Sequence, residues 1–122
     1  MDAQLVYHRF LLLTGLPEQQ NAALFSLCED AARELERRLR PGAEHTSPRL
    51  IYPAAAMALA RYCLAGAAAE DAGSFTAGDI HVTKETATAI AAAQRMERDA
   101  LNSVADLLED DSFCFCAIGG AP

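Results

Sequence analysis

Two alanine-rich stretches, one spanning Ala54 to Ala69 and the other Ala87 to Ala93, leave this chain little choice of architecture. Alanine has the highest helix propensity and contributes little buried area per residue, so such stretches form helices that pack closely around a narrow interior. Between them lies Gly73-Ser74-Phe75-Thr76-Ala77-Gly78-Asp79-Ile80-His81-Val82-Thr83, which interrupts both patterns. There Ile80 and Val82 alternate with His81 and Thr83 beside Gly78-Asp79, the signature of a strand and turn, and Gly78 is suited to the positive φ such a turn needs. The expectation is a mainly α fold: a bundle of about four helices, one short and N-terminal, three long. A small β-hairpin near residues 74–83 is expected between the third and fourth helices, with a short C-terminal strand after the fourth.

The helices are placed by their apolar periodicity. Asp2 to Thr14, with Leu5, Phe10, Leu12 and Leu13, predicts a short helix stopped by Gly15. Leu16-Pro17-Glu18 suits the first turn of a second helix, since proline fits that turn and an acid favours the positive end of the dipole. Its apolar positions Leu24, Leu27, Cys28, Ala31, Leu35 and Leu39 recur at steps of three and four, and it runs until Pro41-Gly42. Glu34–Arg38 and Glu36–Arg40 are favourable pairs on its polar face, and Arg37, Arg38 and Arg40 complement the dipole there as a solvated helix end. Ser47-Pro48 signals a third helix from about Pro48 to Ala69, with Leu50, Ile51, Ala55, Leu59, Tyr62 and Cys63 inward, broken by Asp71-Ala72-Gly73. Thr83 and Thr86 begin the fourth, which reaches about Glu109 on Ala89, Ala93, Met96, Ala100, Val104, Leu107 and Leu108. Phe113 to Ile118 reads as a strand that pairs with Phe75–Val82, and residues 119–122 as a flexible end. At 122 residues without an internal linker, residues 1–118 read as one helical domain.

Charge and reactive side chains narrow the function. A net charge of −7 opposes the phosphate neutralisation on which nucleic-acid affinity rests, so sequence-specific DNA reading is not expected. The chain has no apolar run able to span a bilayer and no basic leader before an apolar core, so a cytosolic protein with reduced thiols is expected. Cys28 and Cys63 fall on apolar helix faces and read as small buried hydrophobes. Cys114 and Cys116 form one C-x-C without a second cluster, which falls short of zinc-ligand spacing. His45 and His81 lack a partner at ligand spacing, no glycine-rich phosphate loop is present, and no catalytic set has a local signature. Neither an enzyme nor a cofactor is expected.

Three segments together resemble the phage head–tail connector family, also called adaptor or head-completion proteins. Phe10-Leu11-Leu12-Leu13-Thr14-Gly15-Leu16 looks like its N-terminal helix and turn, and Leu24 to Glu36 like its second helix. Tyr62-Cys63-Leu64-Ala65, followed by Gly73 to Val82, looks like its third helix and its Gly-Asp-hydrophobic-x-hydrophobic loop. The Phe113–Ile118 segment and its cysteines have no matched counterpart. The resemblance implies a helical subunit, in the virion or the host cytoplasm, that joins a ring between portal and tail. It also implies contact with neighbouring subunits through Phe75, Gly78, Asp79, Ile80 and Val82. A different reading of the same chain is a small cytoplasmic regulatory module that holds a metabolite between helices, or a metal at Cys114 and Cys116.

Overall fold

A computed structural model describes residues 1–18, 21–74 and 84–109 of the chain. Four helices make up most of it: α1 (Ala3–Thr14), α2 (Ala22–Arg37), α3 (Ile51–Ser74) and α4 (Lys84–Ser103). Short 3₁₀ turns at Pro48–Leu50 and Ala105–Leu107 precede α3 and follow α4. Among the described residues there is no β-strand, only an isolated antiparallel bridge between Leu39 and Leu108. The expected strand at Phe113–Ile118 and residues 75–83 of the expected hairpin lie outside the described residues.

Local chemistry sets the ends of each helix. The Asp2 carboxylate accepts from the Gln4 N–H at 2.9 Å and caps α1. Gly15, at φ 74°, closes α1 by donating its N–H to the Leu11 carbonyl. The second helix begins later than Pro17 suggests, at Ala22. Asn21 is the stronger cap, and its side-chain oxygen accepts from Ala23 at 3.0 Å and Leu24 at 3.1 Å. This helix also stops at Arg37, short of Pro41, because the next residues pair with the chain beyond α4. The Arg40 N–H donates to the Leu107 carbonyl at 3.0 Å, and the Glu109 N–H to the Arg38 carbonyl at 2.6 Å. The same pairing ends α4 at Ser103 instead of Glu109, after which the backbone tightens into the 3₁₀ turn.

The third helix departs furthest from expectation. It continues through Asp71, Ala72 and Gly73 to Ser74. One interior glycine costs a helix only about 1 kcal/mol relative to alanine, and the alanines around it favour continuation. Gly73 and Ser74 therefore belong to α3, and not to a hairpin. Pro53 is buried in the first turn of α3, where its missing N–H is tolerated.

The core gathers Val6, Tyr7, Phe10 and Leu11 of α1, Cys28, Ala31, Ala32 and Leu35 of α2, Leu39, and Leu50, Ala54, Ala55, Met57 and Ala58 of α3 and its lead-in. On α2 the expected face is the observed one. On α1 it is not: Leu5 and Leu12 are exposed, while Val6 and Tyr7 are buried. On α3, Pro53 to Ala58 are buried on every side. That follows from its position, for α3 packs against all three other helices, whereas α4 packs chiefly on α3. Among the described side chains of α4 only Ala93 and Ala100 are buried, with Val104 just beyond its end, and Ala89 is exposed.

Candidate functional site

Several charged groups among the described residues make contacts within the fold. Glu34 accepts from Arg37 at 2.6 Å and Arg38 at 3.3 Å. The bond from Arg37 is the main cause that holds its carboxyl below the usual range. The expected Glu34–Arg38 pair forms, whereas Glu36 accepts from the Met1 ammonium at 2.6 Å and Arg40 has left the helix. Arg49 holds both oxygens of Asp106, at 2.8 and 3.0 Å, and reaches the Ser103 carbonyl at 3.1 Å. That bond keeps Asp106 below the ordinary carboxylate range and raises Arg49 further.

The groups that could carry chemistry are scattered. His8 and His45 are exposed and far apart in the chain. Cys28 is buried in the core, and burial pushes its thiol up to about 12. Cys63 is half-buried, and burial raises it too. In both, burial disfavours the thiolate, the form that reacts. Among the described residues no three His, Cys, Asp or Glu side chains come together in a way that could hold a metal ion. Cys114, Cys116 and His81 lie outside them. Among the same residues no helix is long and apolar enough to cross a membrane.

What the fold does build is a projecting pair of helices. With 24 residues α3 is about 36 Å long, against about 18 Å for the 12 residues of α1. The Arg49 bonds to Ser103 and Asp106 set the start of α3 beside the end of α4, so the two run antiparallel. Beyond Ala60 the cover of α3 thins: Leu64, Ala65 and Gly66 are exposed, while the Tyr62 ring still meets Phe10 of α1 edge to face with centres 5.6 Å apart. On α4, Ala87, Thr88, Ala89, Ala91 and Ala92 are exposed as well. The residues singled out as contacts, Phe75, Gly78, Asp79, Ile80 and Val82, belong to the stretch that joins Ser74 to Lys84 and lies outside the described residues. Leu64 lies off the stripe expected to face inward on α3 and is exposed, whereas Tyr62, expected inward, is only partly covered.

Two open depressions lie among the described residues. One, of about 440 Å³, lies between α1 and α2 and is lined by Gln4, Tyr7, Asn21, Ala22 and Phe25. At its floor Tyr7 and Phe25 meet edge to face with ring centres 5.7 Å apart. The other, of about 330 Å³, follows Ala87, Thr88, Ala91, Ala92 and Arg95 along α4. Neither gathers ionisable groups of opposed character, as acid–base chemistry requires.

Compared with known protein families, curated proteins and solved structures, the chain matches none.

Proposed function

We propose that the chain is a structural subunit of a phage or prophage head–tail connector, one that assembles between portal and tail. The observation that carries this reading is the α3–α4 pair, in which α3 is twice as long as α1 and is followed in the sequence by residues 75–83 and then α4. A helix pair of that length suits a contact made at a distance from the subunit's own core. Phe75, Gly78, Asp79, Ile80 and Val82 are assigned to contact with a neighbouring subunit or partner, whether as a hairpin or as a plain loop. The reading makes the protein a virion or host-cytoplasm component that works by assembly and not by catalysis.

Light scattering on size-exclusion fractions tests it, with the protein alone and then mixed with portal protein encoded beside it. A complex of higher mass than either component is expected with portal. A strict monomer that ignores portal would remove the connector reading. Phe75→Ala with Ile80→Ala is expected to retain the helical circular dichroism of the parent and to lose the complex. Unchanged assembly would move the contact elsewhere.

A further inference from the structure

We infer that the open depression between α1 and α2 is the seat of the chain's own Phe115, carried there by residues 110–118 laid as a strap along α2. The inference goes beyond the connector reading and does not depend on it. Phe115 lies outside the described residues, but the point where its segment leaves them is defined. The bridge between Leu39 and Leu108 is antiparallel, with the Arg40 N–H on the Leu107 carbonyl and the Glu109 N–H on the Arg38 carbonyl. Residues 38–40 lead away from α2, so residues 107–109 run the other way, back towards its last turn. The chain beyond Glu109 is thereby aimed along α2 in the direction of the helix N-terminus.

Length selects the depression. Glu109 stands beside Arg38, and Phe25 lies thirteen residues before Arg38, about 20 Å along the helix. Six extended residues take the chain from Glu109 to Phe115, again about 20 Å. The route between them is open. Ala22, Ser26, Arg33 and Arg37 follow one another at steps of four, seven and four and are all exposed, so they form one flank of α2 that ends at the rim of the depression. Asp110 and Asp111 meet Arg37 and Arg33 on that flank. These guanidiniums hold Glu34 and Glu29 and have donors to spare.

The seat suits an aromatic ring. Tyr7 and Phe25 line it with their rings edge to face, and Phe25 is only partly covered by the described residues. A third ring extends such a pair in the same geometry. In an extended stretch Phe113 and Phe115 share one side and Cys114 and Cys116 the other, so the side turned to α2 is aromatic. The occupant is this segment and not a separate partner because a tether of six residues holds it at high effective concentration beside the depression.

Nuclear Overhauser contacts in the full chain test this. Ring protons of Phe115 are expected to show contacts with those of Tyr7 and Phe25. Phe115→Ala is expected to shift the amide resonances of Gln4, Ala22 and Phe25 and to leave those of His45 and Leu64 in place. Contacts from Phe115 to Ile80 or Val82 instead, as the strand pairing expected from the sequence requires, overturn the strap. Contacts seen only between differently labelled copies in a mixed sample also overturn it, since the segment then sits on a second molecule. Amides of Ala22 and Phe25 that stay in place in Phe115→Ala overturn it as well. Each of these outcomes leaves the connector reading standing.

Discussion

Arg49 touches three oxygens at once, two on Asp106 and one on the Ser103 main chain, yet both side chains lie in solvent. Water screens such a pair, so its value is in fixing where α4 ends more than in stability. Asp106→Asn is thus expected to lower the melting temperature less than a core truncation does. Leu35→Ala is the useful comparison: Leu35 is fully buried, and its loss is expected to cost about 2–5 kcal/mol in chemical denaturation. Acid should act through the depressed carboxyls. Glu34 and Asp106 both sit below their ordinary values of 4.5 and 3.8, so their contribution is complete above pH 4.5 and is lost as pH falls through the lowered values. Thermal melts from pH 6 down to pH 2 should show a shallower acid limb in Glu34→Gln, Asp106→Asn than in the parent. At the alkaline end the sign reverses for Cys28, whose raised thiol withholds its proton, so stability falls as pH rises above 9.0.

At the level of helices, the caps carry a clear expectation. Asn21 satisfies two main-chain donors of α2, and Asn21→Ala is expected to cost about 1 kcal/mol, read by urea denaturation. How far each helix was legible depends on how its apolar residues are spaced. On α2 charged residues separate Cys28, Ala31, Leu35 and Leu39, so one face stood out and proved to be the buried one. In α1 apolar residues occupy most positions, and the spacing could not tell Val6 and Tyr7 from Leu5 and Leu12. Only the neighbours in space decide that rotation. The end of α3 was misjudged for a different reason: Asp71 and Gly73 are weak helix formers, but a residue's propensity is outweighed by the helix around it. The ends of α2 and α4 were beyond local reading altogether, because Leu39 and Leu108 stop each other across a long sequence separation. As for the candidate site, residues 75–83 drew notice through turn chemistry. The bare upper arm left no such mark, since alanine reads the same whether enclosed or exposed.

Across the whole molecule, protection from exchange should be uneven. Where α1, α2 and α3 enclose one another, amides open only with global unfolding. Near Ala87 on α4 and near Leu64 on α3, exposed residues outnumber buried ones. Hydrogen–deuterium exchange at low protein concentration should therefore find amides of residues 54–58 slowest and those of 62–66 and 86–92 much faster. Equal protection of the two groups would contradict the uneven packing described. The cluster that joins Leu39 to Leu108 and Arg49 to Asp106 then takes on a mechanical meaning. It is the fulcrum of a lever. A tilt of about 5° at that point would sweep the far end of a helix about 36 Å long through about 3 Å, enough to move a neighbour in or out of register. Loosening the fulcrum with Arg49→Ala should leave the helices intact and broaden the range of arm positions, which spin-label distances between residues 37 and 88 would record.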